Sequence, residues 1–223
     1  MNKKALEIFN YVFFSLVIVL CLILTIIYNL SWLTFVVCAT SIVYIVYLSD
    51  RNLLNFLVGF VSSTTYIIVS YRAHLYGEAI FYLCFDIPMI LVSFLMWQKH
   101  METKLKVETR KLSAKKIIII ILVSAAVVVG YGFVLRAIGG TNSFVDALSS
   151  VVTLVATLLM ATRYREQWIM WIVVYIVSIV LWATTFDLLM LIMSISCLIS
   201  SVIGYINWTI SAKEEPKQTL QAE

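Results

Sequence analysis

The residue of this chain whose type and position most demand a chemical role is Asp86. It lies in the run Phe81–Pro88, about seven residues inside an apolar stretch. A carboxylate at that depth in hydrocarbon is costly, so it faces a cavity, a partner or a ligand. Pro88, two residues on, removes a backbone donor and bends the helix that carries the acid. A protonated Asp in an interhelical hydrogen bond is the other reading of the same residue. No Lys or Arg sits at matching depth, so a partner cation would arrive with a ligand. Trp168 and Trp171, three apart, share one helical face, which Tyr175, Ser178 and Trp182 continue. Stacked indoles hold a flat ring and attract a cation, although Trp168 also suits an interfacial aromatic belt. Asn55, Ser62 and Tyr66 share a broad face at three-to-four spacing, with Tyr82 on the next stretch. Polar groups of this kind either join helices or meet the hydroxyls of a sugar. Ser63, Thr40, Ser41 and Thr153 are weaker candidates, and Gly59 allows close approach or leaves room for a ligand.

The elements that must position these residues are eight apolar stretches, near residues 8–30, 32–48, 53–71, 79–97, 116–135, 143–162, 168–185 and 188–209. Of the 223 residues, 62% are hydrophobic and 13% charged, which excludes a water-soluble core of this size. Most stretches approach the ~20 residues that cross about 30 Å of hydrocarbon as helix. They lack the alternation of barrel strands, so the fold class is an all-α polytopic membrane protein of eight transmembrane helices. With the amino terminus in the cytoplasm, 14 of the 16 Lys and Arg fall inside, leaving Arg72 and Arg136 outside. This predicts an inner-membrane protein with both termini cytoplasmic. The first stretch follows Lys3 and Lys4 but is long, without a small-residue cleavage site before Trp32, and reads as a retained helix.

The four cysteines sit singly in apolar stretches, with no CxxC and no Cys/His cluster. HExxH, GxSxG and Walker A patterns are missing from the sequence. The reading is therefore no enzyme, no cofactor and no metal. The basic segment Lys99–Lys116 is a topology anchor; it lacks the interleaved aromatics of a nucleic-acid binder. The expected partners are membrane lipid and a small molecule, and a homo-oligomer is compatible with the sequence.

The stretches divide into an extra helix (1–31), a three-helix unit (32–97), a basic loop with a linking helix (98–142), a second three-helix unit (143–209) and a short polar tail (210–223), read as disordered. Both units run in the same direction, a known transporter plan with the site where the units meet. Sliding one unit over the other so that Trp97 falls on Trp208 also places Ser93 on Gly204 and Leu48 on Leu159. Each unit then ends small-x-x-x-Trp.

With these ends, the Trp168-x-x-Trp171 element, Tyr76-Gly77-Glu78 and Pro88-Met89, residues 32–209 resemble the PnuC family of vitamin transporters, SWEET-like in outline. The resemblance implies facilitated diffusion of nicotinamide riboside, trapped inside by a cytoplasmic kinase that need not touch the transporter. It also implies that Trp168 and Trp171 line the site. The family often has Asn at the position of Tyr175 and Gln at that of Ile90, amides suited to a carboxamide. Thiamine or a deoxynucleoside is the alternative cargo. A sensor or assembly factor that transports nothing is the alternative of another class.

Overall fold

The computed structural model describes residues 3–101, 109–140 and 142–219. These form eight long helices: α1 (Lys3–Ile27), α2 (Trp32–Ser49), α3 (Asn55–Arg72), α4 (Tyr76–Gln98), α5 (Ala114–Ala137), α6 (Ser143–Ala161), α7 (Gln167–Thr185) and α8 (Leu188–Thr219). Seven of them are long and apolar enough to cross a membrane. The exception is α3, and its composition explains why. Its 18 residues reach about 27 Å, but Asn55 and the run Ser62–Thr65 dilute its apolarity. Those residues are tolerated because Asn55, Ser62 and Ser63 are buried in protein, while Thr64 and Thr65 bond back to their own helix. The backbone of α8 runs on to Thr219, past the break expected near residue 210.

Short turns join the helices. Arg51, His74 and Arg163 each end a helix in the left-handed region, with the next N–H reaching back to the last full turn: Asn52 to Tyr47, Leu75 to Ser70 and Tyr164 to Leu159. This closure satisfies the last carbonyls of α2, α3 and α6 without a glycine. The step along the sequence from Arg51 to Arg163 equals that from His74 to Phe186, which is also left-handed. The same step leads from the start of α3 to that of α7, and from the start of α4 to that of α8. From Trp97 to Trp208, however, the step is shorter by one.

The extra residue is in α4. Between Tyr82 and Asp86 the helix widens into a π turn, in which the Ile87 N–H reaches the Tyr82 carbonyl. Such a turn absorbs one additional residue. The bend expected from Pro88 takes this form: proline has no N–H for the carbonyl a turn earlier, and the wide turn re-pairs the backbone around it. The single slide that lays Trp97 on Trp208 is thus corrected. It holds after the π turn, whereas before it the two triples align one position further along, with Leu48 on Met160.

The two closing tryptophans tie the helix triples together. Trp97 Nε1 donates to the Met160 carbonyl of α6 at 3.0 Å, and Trp208 Nε1 to the Leu48 carbonyl of α2 at 3.3 Å. Their acceptors are the pair that the corrected alignment makes equivalent. By contrast, α5 exposes most of its length and buries Gly132 and Leu135, as a lipid-facing linker would. The α1 helix packs on α2 and α8, with Cys21 Sγ and Cys38 Sγ 3.4 Å apart.

Lys104 and Lys106 of the basic loop fall outside the described residues. The end of that loop docks on the α6–α7 corner. Arg110 N–H donates to the Arg163 carbonyl at 2.8 Å, Arg165 N–H to the Arg110 carbonyl at 2.9 Å, and Leu112 N–H to Glu166 Oε2 at 3.0 Å. Arg110 also stands 5.1 Å from the centre of the Tyr164 ring.

Candidate functional site

A small cavity lies where α2, α3, α4, α7 and α8 meet. The α3 wall supplies Gly59, Ser62, Ser63 and Tyr66; the α7 wall supplies Trp171, Val174, Tyr175 and Ser178. Under the alignment that pairs Arg51 with Arg163, each of these α3 positions has its counterpart in the α7 set, so equivalent faces of the two helices look at one another. Their side chains differ sharply. Gly59 stands against Trp171 in this correspondence, and Ser63 against Tyr175. At these two pairs α3 is small and α7 aromatic, while Tyr66 against Ser178 reverses the order.

Trp171 and Tyr175 stack with ring centres 5.9 Å apart and planes 23° apart, while Tyr44 meets Trp171 edge-on at 6.5 Å. Trp171 is 4% exposed, and its Nε1 is buried without a hydrogen-bond partner among the described residues. An orphaned indole N–H is a donor held ready for a ligand acceptor. Across the cavity, Ser41 and Ser62 hydroxyls pair at 2.7 Å.

Asp86 is 8% exposed and lines the cavity. Its Oδ2 accepts the Ser63 hydroxyl at 2.5 Å. Both readings of this residue therefore meet: it joins two helices and also faces open space. Within the lining there is no Lys or Arg to neutralise it. Tyr82 and Ile90, one turn to either side of it on α4, complete that wall.

Of the eight residues singled out in the sequence, Ser62, Tyr66, Tyr82, Asp86, Trp171 and Tyr175 line this cavity. Asn55 and Trp168 do not. Asn55 is fully buried at the start of α3, where its Nδ2 donates to the Asn52 carbonyl at 2.5 Å and closes the α2–α3 turn. Trp168 is fully buried below the cavity, edge-on to Trp208 at 6.0 Å. A β-carbon on Gly204 would come within 2.5–2.6 Å of its ring, so Gly204 exists to admit that indole. The helical face shared by Trp168 and Trp171 spans two environments, a packing layer and a cavity wall. The stacked pair is accordingly Trp171 with Tyr175 rather than Trp168 with Trp171.

Sequence reasoning missed Tyr44, one turn beyond Ser41 on α2, whose hydroxyl reaches Met160 Sδ at 3.1 Å. It also missed a pair of buried acids, Glu78 and Asp146. Asp146, on α6, accepts the Gly77 and Glu78 backbone N–H groups at 2.7 and 2.9 Å and so caps α4 from another helix. Glu78 accepts the Ser149 hydroxyl. The signal for the pair was present: both acids lie in the first turn of an apolar helix.

Residues 31–210 match the sequence family of the nicotinamide mononucleotide transporter. A nicotinamide riboside transporter PnuC from Neisseria mucosa is 39% identical over 199 residues, covering 84% of this chain and 76% of that protein. The PnuC of Haemophilus influenzae is 31% identical over 182 residues, 80% of each chain. The crystal structure of a vitamin B3 transporter PnuC superimposes with a TM-score of 0.84 at 31% identity, covering 96% of this chain and 98% of that one. An all-helical bundle, a half-polar enclosed cavity and these relatives agree, and the chain belongs to the PnuC family of membrane transporters.

Proposed function

We propose that this transporter carries a cationic pyridine nucleoside, nicotinamide riboside, by facilitated diffusion across an inner membrane with both termini in the cytoplasm. The observation that carries the reading is the cavity itself, with Asp86 on one wall and the Trp171–Tyr175 stack on another. A pyridinium ring seated against Trp171 gains cation–π attraction, and Asp86 balances its charge. The orphaned Trp171 Nε1, whose N–H points out of the indole edge, donates to a sugar oxygen beside the stacked ring. Ser41, Ser62, Ser63 and Tyr82 offer hydroxyls to the ribose. We read the two helix triples as parallel repeats that rock about the cavity, which the matched positions on α3 and α7 support. A cytoplasmic kinase then traps the cargo by adding a charge that the cavity rejects.

Ile90 and Tyr175 favour a second reading within the same class. Both line the cavity, where family members often carry amides, and no Asn or Gln stands on its wall. A cation without a carboxamide, such as thiamine, loses nothing from that exchange. Uptake of radiolabelled nicotinamide riboside, thiamine and deoxynucleosides into vesicles holding the purified protein decides between them. Saturable uptake of nicotinamide riboside supports the first reading, and thiamine alone the second. Uptake of none of these compounds refutes both.

A further inference from the structure

The stripes that line the cavity on α3 and α7 do not end with it. On α3, Gly59, Ser62 and Tyr66 are followed by Val69 and Ala73 on the same face; on α7, Trp171, Tyr175 and Ser178 are followed by Trp182 and Thr185. Val69, Ala73, Trp182 and Thr185 line a second, more open chamber with Thr34 and Asp187. Its charged rim is made by Arg72 and Asp187. The positive-inside assignment puts this chamber on the outer side. One layer separates the two spaces: Tyr66 on the cavity side and Trp182 on the chamber side, meeting edge-on at 5.9 Å with Trp182 Nε1 donating to the Tyr66 hydroxyl at 3.3 Å. The opposite end of the cavity is closed more heavily, by Trp97, Trp168 and Trp208, with Trp208 in contact with both of the others.

Resting on the reading of the cavity as the cargo site, we propose that the second chamber is an outer waiting station for a cationic aromatic ligand. Trp182 is its floor, Asp187 attracts the charge while Arg72 on the same rim keeps the ligand's cation to the Asp187 side, and the Trp182–Tyr66 pair is the barrier into the cavity. The ligand chemistry follows from the indole and the carboxylate. Asp187 also has its Oδ1 on the Met190 N–H, capping α8, so an Asn there keeps the cap while losing the charge.

Thiol labelling tests this without any cargo. Thr34→Cys places a thiol in the outer chamber and Ser178→Cys one in the cavity, a turn below Trp182. Intact cells are treated with a membrane-impermeant trimethylammonium methanethiosulfonate, and modification at each site is followed by peptide mass spectrometry, with the native chain as background. Thr34→Cys is expected to react rapidly and Ser178→Cys slowly. Adding Trp182→Phe, which keeps a ring but loses the N–H, should speed Ser178→Cys by about fivefold, the weight of one net hydrogen bond. Adding Trp182→Ala should speed it further. Adding Asp187→Asn should slow the cationic reagent at Thr34→Cys by about two- to fivefold and leave a neutral methanethiosulfonate unchanged. Equal Ser178→Cys rates with and without the Trp182 indole overturn the barrier, and Trp182→Phe keeps that arm decisive if Trp182→Ala does not fold. Equal effects of Asp187→Asn on both reagents overturn the station. Vesicle uptake judges the cargo assignment separately, because labelling depends on the path and not on what travels along it.

Discussion

Asp86→Asn isolates charge from shape. The amide oxygen of Asn still accepts from Ser63, whose hydroxyl now lies 2.5 Å from Oδ2, so the α3–α4 contact and the π turn persist. Only the negative charge disappears. For a pyridinium charge held within about 6 Å of the carboxylate, at an effective dielectric constant of about 20, the attraction is roughly 3 kcal/mol. That corresponds to about a hundredfold in affinity. The apo protein should move the other way. A buried carboxylate with one hydroxyl partner is poorly solvated, and replacing it by a neutral amide relieves that cost. The variant should therefore melt higher while binding a cationic nucleoside far more weakly. Calorimetric titration of the purified protein with nicotinamide riboside and with a neutral nucleoside, beside thermal melts in detergent, reads both effects. A parallel loss for cationic and neutral ligands would refute the charge role. A lower melting temperature with unchanged affinity would leave Asp86 a structural residue.

Trp171→Phe keeps a ring in the stack but removes the unpartnered N–H. Affinity for a nucleoside ligand should fall about fivefold with little change in stability, since no internal hydrogen bond is lost, as titration and melting would show. Gly204→Ala pushes a methyl into the Trp168 ring and should cost about 1–3 kcal/mol of stability, seen as a lower melting temperature, with substrate selectivity intact because Trp168 is off the cavity. Deleting Leu83, exposed within the π turn, should convert that turn to regular helix. Trp97 then keeps its register with Glu78, because the wide turn had absorbed the one residue removed, and the change is confined to the cavity wall between Tyr82 and Asp86. Uptake should be abolished while helical circular dichroism is retained; normal uptake would show that the extra residue is dispensable.

Much of this architecture was legible because lipid leaves a chain few choices. Eight apolar stretches became eight helices, and the unit ends were readable from Trp97 and Trp208, each of which bonds to a helix of the other triple. The cavity was legible wherever a polar or aromatic side chain stood out against an apolar background, as Asp86 and Tyr66 do. It was illegible where two environments share one helical face. Trp168 and Trp171 are alike in type and spacing; Gly204 on α8 admits the Trp168 ring into a packing layer, whereas Trp171, one turn on, lines the cavity. Asn55 reads as a ligand contact because its helix face points inward; at the first turn of α3 its Nδ2 closes the backbone, away from the cavity lining.

The single residue by which the two triples differ in register has the largest functional consequence. If α4 were regular from Tyr76 to Gln98, it would match α8 in one unbroken alignment, and Trp97 would lose the register that Trp208 keeps on the other side. The π turn absorbs the extra residue before Ile87, so the lower half of α4 retains its symmetric packing. Its wide backbone also falls where Tyr82 and Asp86 enter the cavity wall. The matching segment of α8 stays α-helical and presents Met193 there, with Cys197 buried one turn further on. The α4 and α8 walls thus differ in backbone and in chemistry, with the acid on the α4 side and Met193 on the other. A charged, oriented cargo needs that asymmetry, because a strictly symmetric cavity would present the same groups to both ends of the molecule.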